Sequence, residues 1–210
     1  MPSYIVYPNV TLGRECFIGD YAIVGEPPRG RQPGEVPTVI GDEAQIRSHT
    51  VIYAGNRIGS HFQTGHGALI REENEIGNHV SIGSHSVIEH HVWIGHGVRI
   101  HTQVFVPEYS RLEEGCWLGP NVVLTNAPHP LCPKVKECLK GATIRRGAKI
   151  GAGAVLLPDI TVGEMALIGA GAVVVSDVPD RAVMVGNPAR QIKDISELTC
   201  PYDLIEHPYS

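Results

Sequence analysis

The 210-residue chain lacks a basic excess: 17 Lys and Arg stand against 22 Asp and Glu, for a formal charge of −5. Nothing in that balance attracts nucleic acid or anionic lipid, so neither is expected as a partner. The chain also lacks any uncharged apolar run near the ~20 residues that cross a bilayer. Its start, MPSYIVYPNVTLG, has no basic segment leading into a long apolar one. No membrane association and a cytoplasmic setting are therefore expected. Cysteine is scarce, odd in number and scattered (Cys16, Cys116, Cys132, Cys138, Cys200), which speaks against a secreted disulfide framework. At this length burial alone can hold a core, and no covalent staple is required. Leucine is short as well, 12 residues against 20 isoleucines, an imbalance that favours strands over helices.

What the chain does have is 24 glycines, 16 prolines and a period of six. Positions 6, 12, 18 and 24, then every sixth residue from 40 to 124 and from 144 to 174, make 25 sites, all Ile, Val or Leu except Thr64. Thirteen glycines directly follow such a site, as in Ile18-Gly19, Ile76-Gly77, Ile94-Gly95 and Ile168-Gly169. Two residues before the aliphatic there is usually a small or β-branched residue, among them Ala44, Thr50, Ala68, Val80, Ala148 and Ala166. This period fits neither a 3.6-residue helix nor the alternation of a hairpin sheet. A β-sandwich would need turn signals every 8–12 residues instead. Short strands joined by tight turns on a coiling chain satisfy it: the aliphatic points inward, the small residue fills the corner, and glycine is expected to serve the turn. Three hexads close a triangular coil and successive coils stack at ~4.8 Å, which gives about eight coils.

That repeat resembles the hexapeptide-repeat acyltransferases over about residues 4–190. The resemblance implies an all-β fold, a left-handed parallel β-helix, and a homotrimer. The hand comes from the resemblance, since general crossover rules favour the right. The register slips twice, at 26–38 (EPPRGRQPGEVPT) and at 125–143, and both inserts are expected to loop out. The second is the better candidate to touch substrate or cofactor. One domain, 1–190, and a tail, 191–210, with a short helix near Ile195, complete the expected organisation.

Stacking turns a spacing of eighteen into vertical contact. Nine of the eleven histidines lie between His49 and His101, and one column stands out: Glu72, His90, Glu108 and Asn126 are each eighteen apart. A histidine between two carboxylates is held in one tautomer and made more basic, as a general base for acyl transfer requires. Ile88-Glu89-His90 resembles the I-E-H element of bacterial nucleotide-sugar amine acetyltransferases, which implies the same role for His90. Thr125-Asn126-Ala127-Pro128-His129-Pro130 is similar to the T-N-D-x-Y-P element of sugar N-acyltransferases, departing at Ala127 and His129. His129-Pro130-Leu131 also resembles the loop of maltose and galactoside O-acetyltransferases, where a histidine before proline is the base. His90 is the preferred base and His129 the competitor.

The resemblance further implies acyl-coenzyme A, with acetyl-coenzyme A foremost, lying along the later coils. Gly151, Ala152, Gly169 and Ala170 would admit its pantetheine arm, while Lys149 and Arg190 would meet its phosphates. Arg190 closes Gly186 to Arg190, similar to the family's G-x-P-A-[RK] element. The implied reaction moves an acyl group to an amino group of a small, nucleotide-linked sugar acceptor, with transfer to a sugar hydroxyl as the alternative. Two zinc sites are the alternatives to this reading, and no metal is expected. Cys132, Cys138, Cys200 and His129 could form a structural site. Gly95-His96-x4-His101 resembles the zinc element of gamma-class carbonic anhydrases, although Gly83 and Gly65 lie beneath His101.

Overall fold

The computed structural model describes residues 3–209. Its strands are mostly two residues long and fall into three sheets, parallel except for the last strand, which form the faces of a triangular prism. Face 1 runs from Ile5–Val6 to Val173–Val174 in nine strands, face 2 from Val10–Leu12 to Thr161–Val162 in eight, and face 3 from Phe17–Ile18 upward in ten. Each strand pairs with the one a coil away, as in Leu69↔Val87 and Ile70↔Ile88, so the eighteen-residue register holds. The architecture is a left-handed parallel β-helix.

A two-residue strand sends one side chain out and one in, which is why one aliphatic per hexad is enough to build the core. The inward sites from Val24 onward are buried, and each fully buried aliphatic contributes ~1.5–3 kcal/mol. Val6 is exposed, because the first coil has no coil beneath it. Where the inward site shrinks to Thr64, the preceding corner holds Phe62, also buried, and the two changes offset in volume.

Most glycines directly after the inward aliphatic do not serve the turns as expected from the sequence. The turn residue with positive φ stands three places past the inward aliphatic, and it is often not glycine: His49, His61, His79, His85 and His91 all occupy it, with φ between 55° and 60°. Asn, Asp and His are the side chains that best tolerate this left-handed region. The glycine directly after the aliphatic serves a different need. At Gly83, a Cβ would stand 2.3 Å from the His101 carbonyl carbon of the next coil. Hydrogen, and nothing larger, fits between stacked coils at that point.

The inserts leave the prism between Glu26 and Thr38 and between Leu124 and Thr143, the second carrying a short 3-10 turn, Val135–Glu137. The last coil is shorter: Val162 bridges Val178, and Ile168 pairs with Met184, sixteen residues on. Ala182–Val185 then pairs antiparallel with Arg190–Asp194, ending the parallel stack. The 3-10 helix Ile195–Glu197 follows, capped reciprocally by Asp194 and Glu197, with Ile195 buried.

Candidate active site

The corner between faces 1 and 2 gathers the polar side chains. Its inner wall is an asparagine ladder. The Asn56 Oδ1 accepts from the Asn74 backbone N–H (3.0 Å), the Asn74 Oδ1 accepts from Val92 N–H (2.7 Å), and both amides donate to the Arg71 carbonyl (2.7 and 2.8 Å). Buried amides with every bond made hold a backbone tightly. The turn at 71–73 is thereby fixed, and the outward side chains take their positions from it.

Two adjacent columns stand on that wall. In the first are Glu72, His90, Glu108 and Asn126. His90 Nε2 lies 3.7 Å from Glu108 Oε1, and the Asn126 amide donates to Glu108 Oε2 at 2.7 Å. Its remaining bond also goes to Glu108, at the carbonyl, so Asn126 clamps that carboxylate. Glu72 turns aside. Its two oxygens accept from Arg71 at 2.8 and 3.0 Å, and the same guanidinium reaches Glu89 Oε2 at 3.2 Å. The neighbouring column holds Glu73, His91 and Tyr109. His91 Nε2 meets Glu73 Oε2 at 2.8 Å, His91 Nδ1 meets His90 Nδ1 at 2.8 Å, and the Tyr109 ring packs against both imidazoles.

Burial alone would raise the Glu72 carboxyl, but the hydrogen bonds from Arg71 and its own backbone N–H, with the Arg71 charge, bring it below the ordinary carboxylate value. For Glu89 burial prevails over Arg71, and neighbouring Glu108 adds to the rise. Arg71, Glu73, His91 and Tyr109 were not singled out from the sequence. The available signal was their place in the hexads beside His90: Glu73, His91 and Tyr109 are themselves eighteen apart.

His129 is exposed in the second insert, its carbonyl accepting from Cys132 N–H. That insert rises from the same corner, since Lys140 N–H returns to the Asn126 carbonyl at 2.9 Å. The residues expected to meet coenzyme A lie elsewhere, on and beside face 3. Lys149 is half-buried on that face, donates to the Gly147 carbonyl at 2.8 Å and sits 5.0 Å from the Tyr209 ring; burial pushes its ammonium below the usual range. Gly151 and Gly169 are demanded by stacking, because a Cβ there would meet Ala170 N at 2.5 Å and Val185 Cγ1 at 2.9 Å. Their smallness is therefore no independent sign of a ligand. Ala152 and Ala170 are exposed, as is Arg190, which pairs across from Val185.

Among the described residues no three His, Cys, Asp or Glu side chains are grouped to hold a metal ion. His96 and His101 stand at different corners: His96 Nδ1 accepts from Asn78 N–H, while His101 packs edge-on to Trp117. Five residues is nearly one full hexad, which carries the chain around a corner. No described helix is long and apolar enough to cross a membrane.

The bacterial transferase hexapeptide family (six repeats) matches residues 75–108 and 141–176. A galactoside O-acetyltransferase from Lactococcus lactis is 34% identical over 83 residues, 38% of this chain and 40% of the relative. The chain thus spans about two fifths of the length of the curated relatives it matches. The UDP-N-acetylglucosamine O-acyltransferase of Moraxella catarrhalis superposes with TM-score 0.64 at 20% identity, covering 92% of this chain and 74% of that one. The Arabidopsis UDP-N-acetylglucosamine acyltransferase gives 0.57 at 15%, covering 92% and 73%. At those identities the likeness concerns the fold. The chain therefore carries the bacterial-transferase hexapeptide repeat on a left-handed parallel β-helix.

Proposed function

We propose that this protein is an acyl-coenzyme A-dependent acyltransferase that acylates an amino group of a small acceptor, a nucleotide-linked amino sugar. The observation that carries the reading is His90 held between His91 and the clamped Glu108, at the corner from which the second insert rises. The repeat match and the acetyltransferase relative support the reaction class. His90 Nε2 takes the proton of the attacking nitrogen as that nitrogen bonds to the thioester carbon. The C–S bond then breaks, and the imidazolium returns the proton to the coenzyme A sulfur. Glu108 stabilises the imidazolium while it exists.

An amine is favoured over a hydroxyl by charge. Glu72, Glu73, Glu89 and Glu108 gather at the His90–His91 corner, where Arg71 pairs with Glu72 and Glu89, and this acidic setting draws a cationic amine toward the site. Lys149 and Arg190 are the cations offered to the coenzyme A phosphates. A cytoplasmic setting, where acyl-coenzyme A is at hand, belongs to the proposal.

So does a homotrimer. On face 1 the residue just before each inward aliphatic is apolar: Ile5, Ile23, Val51, Leu69, Val87, Phe105, Val123, Val155 and Val173. A continuous stripe of this kind calls for a covering surface, and a second copy supplies one. The His90 corner borders that stripe, so the acceptor would bind near a subunit boundary. The test is release of coenzyme A thiol from acetyl-coenzyme A with UDP- and GDP-linked amino sugars, against neutral galactosides. His90→Asn is expected to lower kcat about 10²–10⁴-fold, with His129→Asn near wild type. The reverse ranking would move the base to the loop, and turnover of galactosides alone would overturn the amine.

A further inference from the structure

We propose that His91 and Glu73 are positioning residues that set the tautomer of His90, so that its Nδ1 carries the ring proton and its Nε2 presents a lone pair. The inference rests on His90 as base but is read from different atoms. Glu73 presents a half-exposed carboxylate, and a carboxylate can only accept. His91 Nε2, 2.8 Å away, must therefore be the N–H. A neutral imidazole has one ring proton, which leaves His91 Nδ1 as an acceptor. The 2.8 Å contact between the two Nδ1 atoms needs a single proton, and only His90 can supply it. His90 Nε2 is thereby left unprotonated, facing Glu108 across 3.7 Å.

The backbone helps to make this arrangement possible. His91 has φ 58°, the left-handed turn position, and its column neighbours Glu73 and Tyr109 share that conformation at φ 59° and 64°. The three side chains are thus presented from equivalent points one coil apart. When Nε2 gains a proton, the charge on the ring is met on one side by Glu108 and, through His91, by Glu73 on the other. No proton needs to travel along this chain. Its task is to exclude the tautomer in which Nε2 is already protonated and cannot act as a base.

The experiment is long-range 1H–15N correlation of the histidine rings in the full protein at neutral pH, assigned with His90→Asn and His91→Asn. His90 is expected as the Nδ1–H form and His91 as the Nε2–H form. A wild-type His90 with its proton on Nε2 would overturn the proposal. This readout needs no acceptor, so it stands apart from any failure of the acyltransferase reading. Two variants separate positioning from folding. His91→Asn keeps an acceptor and suits the left-handed turn, whereas His91→Gly keeps the turn and removes the acceptor; glycine already holds the equivalent position at Gly55, Gly67 and Gly97. His91→Gly is expected to lower kcat about 10–100-fold with the KM for acetyl-coenzyme A unchanged, and to release the His90 tautomer. His91→Asn should restore most of both. Equal turnover in His91→Gly and wild type would also overturn the proposal.

Discussion

Gly83 and Gly97 both become alanine in the most discriminating test of the coil geometry, and the two substitutions should differ sharply. A Cβ on Gly83 would lie 2.3 Å from the His101 carbonyl carbon, 2.4 Å from Thr102 N and 2.6 Å from the His101 oxygen, all backbone. That backbone is held in place by Gly83 N–H to the Ile100 carbonyl at 2.7 Å and His101 N–H to the Leu118 carbonyl at 2.9 Å. Relief therefore requires the coils to part and ladder bonds to stretch. Overpacking at ~1–3 kcal/mol plus one or two bonds at ~1 kcal/mol each gives about 2–5 kcal/mol. Gly97 has φ +67° with nothing within 4 Å of a Cβ. Its cost is the left-handed backbone alone, ~1–2 kcal/mol. Urea midpoints at one fixed protein concentration measure both, since the proposed assembly would couple stability to concentration. Gly97→Asn should recover much of the Gly97→Ala loss, and nothing should rescue Gly83. Equal midpoint shifts for the two alanines would refute the close approach between coils as the reason for the repeat's glycine.

Three further outcomes are expected. Asn74→Ala strips the acceptor from Val92 N–H and a donor from the Arg71 carbonyl, and should cost about 2–3 kcal/mol in urea unfolding; a loss near zero would show that the ladder is not needed. Burial raises the folded-state pKa of Glu89, so its charged form costs stability above that value, and the penalty disappears below the ordinary carboxyl pKa of ~4.3. Glu89→Gln should then raise the urea midpoint at pH 7, with the advantage fading as the pH falls through the carboxylate range; an advantage that grows on acidification would contradict the sign. Val87→Glu places a charge in the apolar stripe of face 1, and light scattering should report the monomer where the unaltered protein reports three copies.

The fold was legible because a six-residue repeat leaves the chain few choices: one inward aliphatic per short strand and three strands per coil follow from period alone. The same arithmetic brought His90, Glu108 and Asn126 into one column. The short helix expected near Ile195 is the 3-10 turn Ile195–Glu197, whose caps Asp194 and Glu197 only the structure shows. The apolar outer stripe of face 1 was equally present in the sequence, at every third hexad, but it is visible only once the three faces are separated. Side-chain direction was not legible. Each group at a corner has two kinds of neighbour at similar distance, the residue eighteen away on the next coil and the residue beside it in the turn. Spacing alone does not rank them. Glu72 chose Arg71 within its own turn, and His90 took His91 within its turn and Glu108 from the next coil. Period therefore determined which residues could meet. Tertiary structure decided which did, because competing hydrogen bonds of nearly equal length are settled by the rotamers and burial that only the packed corner imposes.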